Sequence, residues 1–227
     1  YRAHNLYCAE QAGIRPGNRV LDAGSGSCGP AIDIADSIAD VQIDAVTISP
    51  VQAQSAIEHI KAAGLTKRVR VYIADFHRLP FPDHTFDVVY FLECTGYSYD
   101  PSQLFREVHR VLQPGGALYI KDVFVKQLPL DDREQLALRE FNRAYVYKTQ
   151  TLDSTLASIA AAGFQQILSR DLSERISTKE FARAKWEYAS IFPVLSEFGK
   201  FHRYSHDVKP LPTYFAEIKA AKRFAEE

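Results

Sequence analysis

The stretch that decides the fold is Val20-Leu21-Asp22-Ala23-Gly24-Ser25-Gly26-Ser27-Cys28-Gly29. Val20 and Leu21 read as the apolar end of a buried strand that stops at a carboxylate, Asp22, and enters a glycine turn. Gly24 and Gly26 remove Cβ atoms that would keep a ligand off the backbone. A helix predicted from Gly29 to Ile38 presents its N-terminal N–H groups to the same point. The turn is therefore expected to hold a nucleotide-like ligand. Gly24, Gly26 and Gly29 also satisfy the G-x-G-x-x-G pattern of dinucleotide sites. Asp22 argues against that reading, because a carboxylate here repels a pyrophosphate but accepts a hydrogen bond from an ammonium.

Outward from this turn, apolar periodicity alternates strand and helix. Helices are predicted over about Ala3–Ala12, Gly29–Ile38, Pro50–Ala63 and Pro101–Leu112. Strands are predicted over Arg19–Asp22, Gln42–Ile48, Arg70–Ala74, Phe86–Leu92 and Ala117–Phe124. Pro50 suits a first helical turn, and Pro114-Gly115-Gly116 separates the fourth helix from the fifth strand. Such alternation gives an α/β fold, a parallel sheet with helices on both faces. The pattern then breaks. Leu130–Lys148 and Leu152–Ala162 read as helices, Gln165–Arg170 as a strand, Lys179–Phe198 as a long helix and Tyr214–Ala220 as the last strand.

The 227 residues, 46% of them hydrophobic, suffice for one domain with an insertion. A net charge of −1 excludes a nucleic-acid partner held by a strongly basic face. No stretch approaches the ~18 apolar residues of a membrane-spanning helix. Cys8, Cys28 and Cys94 lack metal-ligand spacing, and their odd number reads as reduced thiols in a cytoplasmic protein. The chain opens at Tyr1 in helix-like sequence, so further N-terminal residues are expected in the natural protein, where Tyr1, His4 and Tyr7 would belong to a lid. A homodimer is compatible with the sequence but not indicated by it.

Two further runs follow the glycine turn: Leu79-Pro80-Phe81-Pro82-Asp83-His84-Thr85-Phe86-Asp87-Val88-Val89-Tyr90 and Glu107-Val108-His109-Arg110-Val111-Leu112-Gln113-Pro114-Gly115-Gly116. In this order and spacing, the chain from about Gly13 to Asp122 resembles the class I S-adenosylmethionine (SAM)-dependent methyltransferases. The resemblance implies a Rossmann-like, seven-stranded, mostly parallel sheet whose last strand is antiparallel, with SAM as cofactor. It divides the chain into a SAM-binding domain (residues 1–126, 151–171 and 212–227) and substrate-covering insertions (127–150 and 172–211). The insertions are expected over the strand C-termini, where open α/β sheets bind ligands.

By the same resemblance, Asp22, Gly24, Ser25 and Gly26 take the amino-acid head of the cofactor. The second strand commonly ends in an acid for the ribose; here it ends Thr47-Ile48-Ser49-Pro50-Val51-Gln52, a departure similar to the cyclopropane fatty acid synthases. Thr47 and Gln52 are given the ribose, with Ile48 and Leu92 beside the cofactor; a hydroxyl and an amide can serve by neutral hydrogen bonds. Asp44, the acid on this strand, lies too early and reads as a structural edge residue. Asp75 is given the adenine amino group, and Phe76 a stacking face.

After the fourth strand comes Phe91-Leu92-Glu93-Cys94-Thr95-Gly96-Tyr97-Ser98-Tyr99-Asp100. A Glu followed by Gly-Tyr resembles the C-methyltransferases that act on alkenes: sterol, prenyl diphosphate and cyclopropane types. Methyl transfer to an alkene creates a carbocation, which a fixed anion stabilises and then deprotonates, and which aromatic faces attract. Glu93 and Tyr97 are therefore the catalytic candidates. Tyr99, Trp186, His202, Tyr204 and His206 are the candidates for the acceptor site, where aromatics interleaved with basic groups suit an apolar chain bearing a diphosphate. Mg²⁺ at Glu93, His202 and His206 is compatible with such a head group. The expected reaction is C-methylation of a prenyl diphosphate, with O- or N-methylation of a secondary metabolite as the alternative and a non-catalytic SAM-binding subunit as a remote one.

Overall fold

The computed structural model describes residues 1–125, 129–172 and 213–223. In chain order the elements are α1 (Arg2–Ala12), β1 (Arg19–Ala23), α2 (Gly29–Ser37), β2 (Gln42–Thr47), α3 (Pro50–Ala62), β3 (Val69–Ile73), β4 (Phe86–Leu92), a 3-10 turn (Thr95–Tyr97), α4 (Pro101–Val111), β5 (Leu112–Val125), α5 (Asp132–Tyr145), α6 (Leu152–Ala161), β6 (Phe164–Asp171) and β7 (Thr213–Lys222). Side-chain caps start four of the helices: Ser49 Oγ accepts from the Gln52 N–H and Asp100 from the Gln103 N–H, Asp131 and Glu134 form a capping box, and Thr151 accepts from the Ser154 N–H.

The strands form one sheet in the order β3-β2-β1-β4-β5-β7-β6. β1 to β5 run parallel, and β7 runs antiparallel to both β5 and β6. This is the Rossmann-like architecture expected from the sequence, with the late strand inserted antiparallel. Alternate residues of each strand serve opposite faces. Val20, Ile43, Val88 and Tyr119 pack with α1, α2 and α3, whereas Leu21, Val89, Leu118 and Ile120 pack with α4 and α6.

Two details depart from the sequence reading. β5 begins at Leu112 rather than Ala117: Phe86 pairs with Leu112 and Val88 already with Ala117, so Pro114-Gly115-Gly116 form a bulge inside the strand. Asp44 lies not on an edge but on the interior strand β2, buried, with its carboxylate bridging Arg19 (3.3 Å) and Arg70 (3.1 Å). The long helix predicted at Lys179–Phe198 lies outside the described residues. No helix among the described residues is long and apolar enough to cross a membrane.

Candidate active site

The glycine turn leaves β1 against β2. Both the Gly24 and Ser25 N–H groups donate to the Val46 carbonyl (3.0 and 2.9 Å), and the Ser25 hydroxyl donates to the same oxygen at 3.2 Å. Ser25 thus holds the turn shut with both its donors, which leaves less of it for the ligand than the sequence suggested. Gly24 adopts φ +93°, and a Cβ there would meet Cys94 Sγ at 2.5 Å, so the glycine lets the turn pack closely on the residue that follows Glu93. Gly26 (φ +54°) does face open space. The third left-handed residue is Cys28 (φ 63°), not a glycine, and no side chain caps the helix it opens. That N-terminus remains an anion-favouring end.

Asp22 is fully buried next to Tyr90, with which it pairs in register. Burial pushes its carboxyl up to about 7, opposed in part by the Tyr90 hydroxyl. Neither Asp22 Oδ2 nor the Tyr90 hydroxyl has a hydrogen bond of ordinary length among the described residues, although the two lie close enough for Tyr90 to lower the carboxyl. An orphaned buried carboxylate oxygen is costly unless a donor reaches it, and an ammonium is the donor that also favours its charged form. The open Cβ space at Gly26 and this orphaned oxygen fit the amino-acid head of SAM.

At the next strand ends, Thr47 is buried and donates to Gln52 Oε1 at 2.8 Å, while Gln52 itself is exposed. Thr47 therefore holds the Gln52 amide, which remains exposed at the end of β2. Ile48, Val51 and Ile73 stand exposed at this corner, an apolar surface of the kind that binds a flat base. Asp75 Oδ1 accepts from the His77 backbone N–H (2.8 Å) and lies 2.7 Å from His77 Nδ1. Burial acts to raise the Asp75 carboxyl, but these His77 hydrogen bonds, with one from Tyr99, hold it below its ordinary value. Phe76, partly buried, packs edge-on against Phe91 at the border of the core.

Glu93 follows β4 with φ 58°, a left-handed conformation uncommon for a residue with a Cβ and often found where strain serves function. Its half-exposed carboxylate forms an ion pair with Lys121, whose side chain is buried. The Lys121 ammonium also lies 4.4 Å from the centre of the Phe215 ring. His4 of α1 feels both charges; its imidazole is lowered first by burial and then by Lys121, with Glu93 opposing. Beneath them Asp122, completely buried, accepts from the Thr95 N–H (2.8 Å), the Thr95 hydroxyl (2.6 Å) and the Tyr147 hydroxyl (2.6 Å). It fastens the loop after β4 to the segment after α5. The thiols of Cys28 and Cys94 are pushed up by burial, Cys28 to about 12, so neither supplies a thiolate nucleophile at neutral pH.

Tyr97 stands edge-on to Tyr147, ring centres 4.8 Å apart. With Tyr99, Arg143 and Lys148 these rings line a cavity of about 530 Å³ between the 3-10 turn and the end of α5. Of the catalytic and acceptor candidates, Tyr97 and Tyr99 line this cavity; Glu93 does not, although its charge acts on the Tyr97 hydroxyl. Trp186, His202, Tyr204 and His206 lie outside the described residues. Lys121, Asp122, His77 and Tyr147 were missed by the sequence reading. The charged pair Lys121-Asp122 inside the apolar run Leu118–Phe124 was the available signal, since charges buried in a strand need partners.

The chain is similar in sequence and in fold to known proteins. Residues 21–120 match the family model described as a methyltransferase domain. Over 75% of this chain and 45% of the relative, the sequence is 32% identical to a sterol 24-C-methyltransferase of Gibberella zeae. It is also 32% identical to 27-O-demethylrifamycin SV methyltransferase of Amycolatopsis mediterranei, over 78% of this chain and 62% of that protein. The chain therefore spans about half the length of the sterol methyltransferases it matches. Among solved structures it superposes on the [4+2]-cyclase SpnF with a TM-score of 0.76 and 26% identity, covering 99% of this chain and 81% of that one. A geranyl diphosphate methyltransferase in complex with SAM shares the fold, with a TM-score of 0.75 and 20% identity over 97% of this chain and 85% of that one. Residues 21–120 thus carry the pattern of a methyltransferase domain, and the chain as a whole is similar to class I, SAM-dependent methyltransferases. Within that class it resembles the small-molecule C-methyltransferases.

Proposed function

We propose that this chain transfers a methyl group from SAM to an alkene carbon of a small, largely apolar acceptor of the sterol or prenyl-diphosphate type, with a prenyl diphosphate as the leading acceptor. The observation that carries this reading is Glu93, a carboxylate held in left-handed backbone at the end of β4, between the glycine turn and a loop of aromatic residues. Asp22 and the Gly26 turn hold the amino-acid head, Gln52 the ribose, and Asp75 with the Ile48 corner the adenine. When bound, SAM supplies a methyl group activated by its sulfonium. The alkene's electron pair forms the new C–C bond, the methyl–sulfur bond breaks, and the positive charge passes to the acceptor. Glu93 then faces that charge and takes the proton whose loss restores the double bond. Tyr97 offers its ring to the cation, and Arg143 and Lys148 at the cavity rim suit an anionic head group. Trp186, His202, Tyr204 and His206 complete the acceptor site in this reading, and Mg²⁺ would accompany a diphosphate.

A second reading is favoured by one observation, the Glu93–Lys121 ion pair. A buried ammonium beside the carboxylate disfavours a neighbouring carbocation but suits a developing alkoxide or phenolate. In this reading Glu93 removes a hydroxyl proton and the oxygen takes the methyl, in keeping with a relative named for a 27-O-demethyl substrate. The test is a transfer assay with methyl-labelled SAM against prenyl diphosphates, sterols, unsaturated lipids and phenols, with and without Mg²⁺. Label in an alkene acceptor supports the first reading. Label confined to phenols replaces it with the second.

A further inference from the structure

Asp75, His77 and Ser98 form a connected chain that neither reading uses in full. His77 Nδ1 lies 2.7 Å from Asp75 Oδ1, and His77 Nε2 lies 2.8 Å from Ser98 Oγ. Carboxylate, imidazole and hydroxyl stand in the order of a hydrolytic triad. Burial decides against that function: His77 is 3% and Ser98 2% exposed, so no substrate reaches either side chain. The two ends, however, belong to different places. The Asp75 side chain is about a third exposed, at 37%, at the corner assigned to adenine. Ser98 closes the 3-10 turn that carries Tyr97, its N–H donating to the Thr95 carbonyl at 3.0 Å.

The imidazole between them is pinned on every side. The His77 backbone N–H donates to Asp75 Oδ1 at 2.8 Å, and its carbonyl accepts from Gln103 Nε2 at 3.2 Å. The Tyr99 ring stacks on the imidazole, centres 3.8 Å apart, and its hydroxyl donates to Asp75 Oδ2 at 3.3 Å. Because a carboxylate only accepts, Nδ1 carries a proton, and Nε2 is left to Ser98. Turning the ring would leave the buried Ser98 hydroxyl without its imidazole partner.

We propose that His77 is a positioning residue that couples the adenine corner to the acceptor loop, so that a donor bound at Asp75 orders residues 95–99 through His77 and Ser98. The loop's ordering cost is then met when the cofactor binds, and the acceptor meets a preformed site. The proposal rests on the assignment of Asp75 to the adenine amino group.

The experiment is amide hydrogen exchange of the 95–99 segment in the whole chain, with and without SAM, alongside calorimetric SAM affinity. The expected result is that SAM slows exchange there at least about threefold in the natural protein. Ser98→Ala keeps the Asp75–His77 contact, so it binds SAM within about threefold of the natural affinity yet loses the slowing. His77→Asn, whose short amide reaches Asp75 but not Ser98, gives the same separation by an independent route should the first variant fold poorly. Equal slowing in the natural protein and the folded variants overturns the coupling. Unchanged SAM affinity in Asp75→Ala overturns the adenine assignment itself, a failure read from affinity rather than exchange and so distinct from the first.

Discussion

The two ends of the same sheet use charge differently. At the end where β1 begins and β7 finishes, charged groups are paired to close the structure. Asp44 holds Arg19 and Arg70, the Arg19 N–H donates to Asp87, and the buried Lys222 ammonium donates to the His109 and Leu112 carbonyls at 2.8 Å each. At the end where β1 to β5 finish, Asp22 keeps an orphaned oxygen, Glu93 occupies left-handed backbone, and Ile48, Val51, Ile73, Tyr97 and Tyr99 stand exposed. Of the left-handed residues at the first end, Asp40 and His84 are of types that tolerate it, and Gln166 sits in the irregularity where β6 pairs with β7. Glu93 is of neither kind. The first end is closed by its own pairs; the second combines its own pairs, Glu93 with Lys121 and Asp122 with Thr95 and Tyr147, with an unpartnered Asp22 oxygen and exposed apolar groups, the pattern expected of a binding end. Changes at the first should cost stability and spare affinity; changes at the second should do the reverse.

The largest expected effect is on turnover. Glu93→Gln should lower it by at least about a hundredfold while SAM affinity by calorimetry stays within twofold. Retained turnover removes Glu93 as the base. Asp22→Ala should weaken SAM binding about thirtyfold, the scale of a lost charge-assisted hydrogen bond.

The pH dependence of Asp22 sharpens the contrast within one residue. Its buried carboxyl sits at about 7, against the ordinary 3.8. The native state therefore binds more protons than the unfolded chain between those values, and the Asp22 contribution to stability of the ligand-free protein falls as pH rises through that window, then levels off. SAM affinity should move the other way, rising about tenfold from pH 6 to pH 8 as the carboxylate ionises toward the ammonium. A flat affinity profile over this range, from calorimetry corrected for buffer ionisation, would detach Asp22 from the ammonium.

How much of this was readable beforehand follows the same division. The turn Asp22–Gly26 and the alternating strands and helices were readable because local glycines, prolines and apolar periods encode them. The placement of Asp75 after β3 and of Glu93 after β4 was readable from motif position. Ser25, Thr47 and Phe76 were given ligand roles, yet their groups largely face the protein itself; spacing fixes position along a chain but not which way a hydroxyl or ring turns. Lys121 and His77 were not found because each gains its meaning from a partner far away in sequence, 28 residues in the case of Glu93 and Lys121. Cys28 looked like a spare thiol, and only its backbone angle shows that it occupies a position usually left to glycine.

Smaller effects separate the readings further. Lys121→Met should cost less than about tenfold in turnover if a carbon is methylated, since no step then needs the ammonium. A loss above a hundredfold would favour the oxygen reading. At the opposite end of the sheet, Lys222→Met should lower stability by about 2 kcal/mol in urea unfolding, because two buried carbonyls lose their donor, with SAM affinity unchanged. An affinity loss there would break the division between the two ends.

The most direct test of the account is the identity of the atom that receives the methyl group. The whole chain is supplied with SAM carrying a carbon-13 methyl and with the acceptor that takes label, and the product is read by carbon NMR. The account predicts a methyl on carbon, formed by the natural protein and lost in Glu93→Gln. A methoxy signal, or an undiminished C-methyl signal in Glu93→Gln, would contradict it.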